Sequence, residues 1–464
     1  MIGAAASFAR NIIVARLISV EDFGIAALLA LSMSFVEMVS NLAIDRLLVQ
    51  ARDGDSERMQ STGQAFQAAR GIGSAVVLFF AAGYIAEFFN IGHAVWAFQV
   101  LAAVPAIRGF IHLDAVRYQR EMKFGASAWI EVVPQLAALG LAIPFGIWLG
   151  DYRVMLWVIV LQVVLQVATS HILATRKYMW AWDREIMRRM ISFGWPLMVN
   201  GLLMFVIFQG DKAIVGAAFT MKELGWYSAA FMLTLAPSMI VTNVLRSLLL
   251  PLLSRVQNDQ QAFRKRYVLT LQTCLLSGLG LAVGLAVAGP GLLLLLYGDR
   301  YAEGAAVVSL LALMQGVRTA KVGPMIAAMS IGRTSNPMYA NLARAGTLLL
   351  AVIAVVNGGG VMWVVFAGLV GEVLSFSVSL ALLRSFSRQS ISSIAKPIVS
   401  CALVASCTQL LASRVVSDFT PIPQIVLGAL VMCLGLTVCF ALMPELARCV
   451  RSAVVSKIKI NAPR

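Results

Sequence analysis

Positions 267–296 read YVLTLQTCLLSGLGLAVGLAVAGPGLLLLL, with no charged side chain anywhere in the run. A helix rises about 1.5 Å per residue, so a run of this length crosses the roughly 30 Å of a bilayer's hydrocarbon. Runs of similar character recur along the whole chain. In hydrocarbon every backbone N–H and C=O must find a partner inside the protein, which leaves helices or a closed barrel. A barrel would show alternating segments of about ten residues, and the sequence has none. Composition agrees: 60% of the residues are hydrophobic and 13% charged, with mean hydropathy +0.84. A soluble domain carries about 25% charged residues. The predicted class is an all-α integral membrane protein.

About 14 transmembrane helices are predicted, at 2–18, 24–50, 62–83, 92–116, 125–149, 154–175, 191–216, 225–250, 267–296, 304–331, 337–357, 360–383, 397–414 and 423–443. The basic residues fall in alternate loops. Arg52 and Arg58 follow the second span, Arg117, Arg120 and Lys123 the fourth, and Arg176, Lys177, Arg184, Arg188 and Arg189 the sixth. Arg255, Arg264, Lys265 and Arg266 follow the eighth, Arg333 the tenth, and Arg384, Arg388 and Lys396 the twelfth. The tail adds Arg448, Arg451, Lys457, Lys459 and Arg464, and the opposite loops hold only Arg153, Lys222 and Arg300. The positive-inside rule therefore places both termini in the cytoplasm, as an even number of spans requires. The net charge of +15 is explained by these loops and is not read as a nucleic-acid footprint. The start, MIGAAASFARNIIVARLIS, has no basic n-region, and arginines interrupt its apolar stretch, so it is not read as a signal peptide. The cysteines form no CxxC pair and mostly lie in apolar runs, so neither a zinc site nor a disulfide framework is expected.

A weak internal repeat organises the chain. Leu17–Gly24, LISVEDFG, aligns with Ala218–Gly225, AFTMKELG, at an offset of 201, and Asn41 matches Asn243 at an offset of 202. Repeats at this spacing suggest two similar lobes. The predicted division is an N-terminal six-helix lobe over 1–178, a cytoplasmic amphipathic linker over 179–190, a C-terminal six-helix lobe over 191–384, and two additional helices with a basic cytoplasmic tail over 385–464. The connection RKYMWAWDREIMRR carries Trp180 and Trp182 between arginines, a composition suited to the membrane interface.

Soluble-enzyme chemistry is missing. There is no GxxxxGK[ST] phosphate loop and no HExxH, and His93, His112 and His171 stand far apart in sequence. The loops are short, so the chain is read as a transporter and not an enzyme. Ionisable residues inside spans cost a few kcal/mol each and usually face a cavity or a partner. Arg318 and Lys321, three apart, share one helix face near mid-depth, and Pro324 follows. Two cations on a buried face suit an anion; the alternatives are a salt bridge to Glu372 or Asp114, or a wet packing defect. Arg10 and Arg70 are candidates for the same cavity. Arg46, Arg246, Asp114 and Arg344 lie near the cytoplasmic span ends, where snorkelling accounts for most of them. Asp211, next to Lys212, and Glu37 are candidates for coupling transport to an ion gradient; a charge pair involving Lys212 is the alternative for Asp211. The excess of buried cations favours an anionic cargo, because guanidinium forks fit phosphate oxygens.

The segment IVARLISVEDFGIAALLA resembles the Ala-Arg-Leu-Leu-x-Pro-Glu-Glu-Phe-Gly signature of polysaccharide-transporter flippases, within the multidrug/oligosaccharidyl-lipid/polysaccharide exporter superfamily; Val20 stands in place of the proline. GDKAIVGAAFTMKELGWYSAAFML resembles their Asp-x-x-x-Ile-Gly and Leu-Gly-x-Tyr elements, through Asp211, Ile214 or Val215, Gly216, Leu224, Gly225 and Tyr227. VLRSLLLPLLSRVQND resembles their Pro-x-x-Ser-x-x-x-x-Asp segment, through Pro251, Ser254 and Asp259. The resemblance implies two pseudo-symmetric six-helix lobes around a central cavity, plus two extra C-terminal helices, working by alternating access. It implies a flippase that moves undecaprenyl-pyrophosphate-linked oligosaccharide repeat units across the bacterial inner membrane for exopolysaccharide, capsule or O-antigen export. The expected partners are the lipid-linked oligosaccharide, membrane lipids, and a polysaccharide polymerase with a chain-length regulator; no nucleic acid and no cofactor is expected, with proton or sodium coupling left open. Two other readings stand beside this one: an ion-coupled multidrug or metabolite antiporter of the same superfamily, and a membrane-embedded glycan polymerase or transferase.

Overall fold

The structure, a computed structural model, describes residues 2–333, 335–387, 391–412, 419–443 and 446–448. Most of the basic tail expected after the last span lies outside these residues. The described residues contain no strand. In order the helices are α1 (Ile2–Leu17), α2 (Val20–Ser40), α3 (Ile44–Gln50), α4 (Glu57–Phe88), α5 (Val95–Leu101), α6 (Ala103–Gly109), α7 (Asp114–Arg120), α8 (Gly125–Leu149) and α9 (Arg153–Ile172). They continue with α10 (Arg184–Ala218), α11 (Met221–Ser254), α12 (Gln260–Tyr297), α13 (Ala305–Ser330), α14 (Ser335–Gly346), α15 (Leu348–Val356), α16 (Val361–Ser387), α17 (Ile391–Leu411) and α18 (Pro421–Ala441).

Each predicted span has one or more helices over it, the 92–116 span three, α5, α6 and α7. Among the described residues, 11 helices are long and apolar enough to cross a membrane, or 12 if the bent pair Gly92–Gly109 and Asp114–Arg120 is one span. α1 and the apolar stretch Ala395–Leu410 of α17 are shorter, so helix length alone does not reach fourteen crossings.

Three spans expected to be continuous are divided: 337–357 at the single residue Thr347, between α14 and α15, and two others beside a local side-chain contact. The 24–50 segment stops at Ser40, where the Asn41 side chain accepts the Ala43 N–H at 2.8 Å and Ala43 takes a left-handed φ of 48°. Side-chain-to-backbone bonds of this kind compete with the helix ladder. The 92–116 segment bends by 53° after Gly109. There the His112 backbone N–H donates to Ser170 Oγ at 3.0 Å, and its ring Nδ1 accepts the Asp114 N–H at 3.1 Å, starting α7 afresh.

The chain forms two compact units, Met1–Ser228 and Ala229–Arg464. In the first, Ile44, Leu47, Met59, Leu113 and Met190 build a core where α3, α4, the α6–α7 bend and α10 converge. Arg120 closes this end by donating to the carbonyls of Leu48 at 2.6 Å, Val49 at 3.0 Å and Ala51 at 2.5 Å, which satisfies the acceptors left over at the end of α3. The connection expected over 179–190 is non-helical through Asp183 and helical from Arg184. It is strapped to the start of α4: Arg176 donates to Asp55 O at 2.7 Å and to Gln60 Oε1 at 3.0 Å, and the Met179 N–H to Gln64 Oε1 at 3.3 Å. Asp183 caps α10 by accepting from the N–H groups of Glu185 and Ile186 at 3.0 and 3.2 Å, and it pairs with Arg58. Trp180 and Trp182 stay exposed. His112 and His171, distant in sequence, lie with ring centroids 5.3 Å apart, and Tyr178 rests against both.

In the second unit α12 is the central helix, packed against α13, α17 and α18. Its core runs through Phe263, Tyr267, Leu271 and Leu275. α13 is buried along most of its length and packs on α16, which also receives α14 and α15. A helix buried on nearly all sides has few places for a charge, so its two cations need partners.

Candidate functional site

Those partners converge on one carboxylate. Arg318 and Lys321 stand one turn apart on α13, and Glu372 faces them from α16. Arg318 Nε and Nη2 each lie 2.8 Å from Glu372 Oε1, and Lys321 Nζ lies 2.7 Å from Oε2. Arg344 of α14 brings its Nε to 3.3 Å from Oε1. Lys321 also donates to Ser375 Oγ at 3.1 Å, and Ser375 passes its own proton to Ala340 O at 2.6 Å. Gln315 Oε1 accepts from Arg318 Nη1 at 3.1 Å. The seam continues along α14 and α16, where Asn336 donates to Ser379 O at 2.9 Å and accepts from Ser379 Oγ at 2.6 Å.

The local sequence explains the arrangement. Asn336, Ala340 and Arg344 recur every four residues and form the buried stripe of α14. On α16, Glu372, Ser375 and Ser379 lie on the opposing stripe, all fully buried. Gly371 makes room: a Cβ there would strike Thr347 Oγ1 and come within 2.7 Å of Arg344 Cδ, so a larger residue would force both side chains to shift. Three cations meet one carboxylate, leaving a surplus of two positive charges. The side chains of Glu372 and Arg344 are sealed, while Arg318 retains 10% exposure and Lys321 6%. A buried cluster with this surplus can hold an anion.

The salt bridge to Glu372 named as an alternative to the anion site is therefore present. Asp114 is fully buried in the first unit, where its carboxylate accepts from Arg117 Nε at 2.8 Å and from the N–H groups of Thr175 and Arg176 at 2.8 and 3.2 Å. Snorkelling fits Arg46 and Arg246, which are exposed. It does not fit Asp114, or Arg344, which has no exposed surface. Nearness to a span end says nothing about which face a residue occupies; the four-residue spacing of Asn336, Ala340 and Arg344 was the signal that could have placed Arg344.

The other candidates are distributed over the first unit. Arg10 on α1 is buried and donates to Gln162 Oε1 at 2.5 Å and Ser7 Oγ at 3.3 Å. Arg70 on α4 donates to Ser40 O at 2.8 Å and Ser40 Oγ at 3.3 Å, closing the end of α2. Glu37 on α2 forms an ion pair with Arg108 of α6. Asp211 is buried on α10. Elsewhere in the second unit an apolar cavity of about 550 Å³ opens between α11, α12 and α18, lined by Val241, Gly280, Gly284, Ile425, Gly428 and Met432 among others.

A bundle of broken and continuous apolar helices, 11 of them long enough to cross a bilayer among the described residues, is that of a multi-pass membrane protein. Residues 13–306 match the family model described as "Polysaccharide biosynthesis protein", and the chain belongs to this family. An "Uncharacterized membrane protein in cps region" of Klebsiella pneumoniae is 18% identical over 297 residues. That match spans 63% of this chain and 61% of the relative's length. In fold the chain is similar to the lipid II flippase MurJ in an inward closed conformation, with a TM-score of 0.72, 14% identity, and 95% of this chain and 97% of that one covered. It is also similar to an inward-facing multidrug resistance MATE family transporter, with a TM-score of 0.68, 13% identity, and coverage of 83% and 94%.

Proposed function

We propose that the protein is a flippase that carries undecaprenyl-pyrophosphate-linked oligosaccharide repeat units across the bacterial inner membrane for surface polysaccharide assembly. The observation that carries this reading is the Arg318–Lys321–Arg344–Glu372 cluster, a buried seam with surplus positive charge in a chain of the polysaccharide biosynthesis family. Guanidinium and ammonium donors suit a diphosphate. The cationic compounds handled by a drug exporter would instead be repelled. The resemblance of fold to a lipid II flippase supports a lipid-linked cargo.

In this reading the repeated lobes, 1–178 and 191–384, joined by 179–190, alternate access to the two faces, with 385–464 as an addition. Arg318 and Lys321 take the diphosphate, and Arg10 and Arg70 add positive potential along the path. The apolar cavity beside α18 suits a prenyl chain. Asp211 and Glu37 are the candidates for ion coupling, both termini face the cytoplasm, and a polymerase with its chain-length regulator takes the product.

The test is to extract lipid-linked glycans from a strain lacking the protein. Complete repeat units trapped on the cytoplasmic face support the flippase. Unchanged surface glycan with no accumulation excludes it and leaves the antiporter reading.

A further inference from the structure

The cations that would take the substrate are already occupied by Glu372. We propose that Glu372 is a built-in counter-anion: it holds Arg318 and Lys321 in the empty protein, yields them to an incoming diphosphate diester, and returns to displace that ligand on release. The inference rests on the reading of Arg318 and Lys321 as an anion site and adds the step that empties it.

Four observations support it. First, the carboxylate uses the donors a phosphate would use. Arg318 donates its Nε–H to Oε1, with Nη2 at ion-pair distance from the same oxygen, and Lys321 binds Oε2, so carboxylate and phosphate compete for the same cations. Second, the exposed edge of the cluster is on the right side. Arg318 and Lys321 keep some exposure while Glu372 and Arg344 have none, so an arriving anion meets the substrate cations before it meets the carboxylate.

Third, Glu372 has somewhere to go. Arg344 reaches the same Oε1 at 3.3 Å and is itself fully buried, so the carboxylate keeps a cation when the other two turn away. An unaccompanied buried charge would be prohibitive; Arg344 removes that obstacle. Fourth, the charges balance. The three cations and one carboxylate leave a surplus of two, and a fully ionised diphosphate diester carries two negative charges. The loaded site is neutral, and the empty one keeps enough internal compensation to remain folded.

The test uses the full chain purified in detergent, with geranyl diphosphoryl-N-acetylglucosamine as probe, followed by titration calorimetry and by dissociation kinetics. Glu372→Gln keeps the shape and removes the competing charge; it is expected to lower Kd about tenfold and to slow dissociation. Unchanged or weaker binding overturns the proposal. Should the single variant not survive purification, Arg344→Met combined with Glu372→Gln preserves the surplus of two charges and carries the same expectation and the same overturning result. Arg318→Met with Lys321→Met separates the two layers. Probe binding equal to wild type in that variant removes the anion site itself, and the counter-anion with it. Lost binding there, with unchanged affinity in Glu372→Gln, removes the counter-anion alone.

Discussion

Gly24 and Gly225 face each other across a backbone contact. A Cβ on Gly24 would strike the carbonyl of Met221 and lie 3.2 Å from the Gly225 nitrogen, and a Cβ on Gly225 would strike the carbonyl of Val20. The contact is reciprocal, and it joins residues that the internal repeat already pairs: Gly24 with Gly225 and Val20 with Met221, both at an offset of 201. The two copies of the motif meet at the N-terminal turns of α2 and α11. A backbone carbonyl cannot turn aside as a long side chain can. Gly24→Ala and Gly225→Ala are each expected to cost about 1–3 kcal/mol, read as a lowered melting temperature in detergent. Adding the second substitution should cost less than the first, because the first already separates the two turns.

Removing Glu372 should do more damage than removing any of its cations. Glu372→Ala strands three buried positive charges, whereas Arg344→Met leaves the carboxylate with two partners. Stranding a buried partner costs about 3–5 kcal/mol. The expected order of melting temperatures is wild type, then Arg344→Met, then Glu372→Ala. Gly371→Ala should fall near Arg344→Met, because its Cβ would push against Thr347 Oγ1 and against Arg344 Cδ at 2.7 Å.

The 173–183 strap depends on acceptors. Asp114 offers one carboxylate to Arg117, Thr175 and Arg176. Asp114→Asn turns one of those acceptors into a donor facing N–H groups, so limited proteolysis of the strap should accelerate several-fold. Acid should act in the same direction. The Ile186 N–H, with that of Glu185 and the charge of Arg58, holds the Asp183 carboxyl below its ordinary 3.8. A lowered carboxyl value contributes stability that is present above the unfolded value and is lost as pH falls through the folded one. Protease sensitivity at the strap should therefore rise only below pH 3.8.

The helices were legible because apolar length is a strong signal, and each predicted span has its helix. Two of the breaks were not, because each is set by one side chain bonding to nearby backbone, Asn41 to Ala43 and His112 to Asp114, inside otherwise apolar runs. At the candidate site, the shared face of Arg318 and Lys321 followed from spacing, and Glu372 was within view as a partner. The burial of Arg344 follows from the face it occupies, with Asn336 and Ala340, and not from its distance to a helix end. The pairing of Gly24 with Gly225 was visible as a repeat; that the copies touch could not be read from one strand of text.

An imposed ion gradient tests the two carboxylates proposed for coupling. Glu37 is committed to Arg108, so Glu37→Gln is expected to lower the transport rate without changing its dependence on an imposed gradient. Asp211→Asn is expected to abolish that dependence. Transport by Asp211→Asn that still follows a proton or sodium gradient would exclude Asp211 as the coupling group.

The most direct measurement is transbilayer movement by the purified protein alone. It would be reconstituted into vesicles carrying a fluorescent short-chain prenyl diphosphoryl glycan, and a membrane-impermeant quencher would report the outer-leaflet fraction. Protein that flips this lipid makes nearly all of it quenchable within minutes, while the Arg318→Met/Lys321→Met variant leaves the inner-leaflet half protected. An inner-leaflet half that stays protected with wild-type protein, as in protein-free vesicles, would contradict the account.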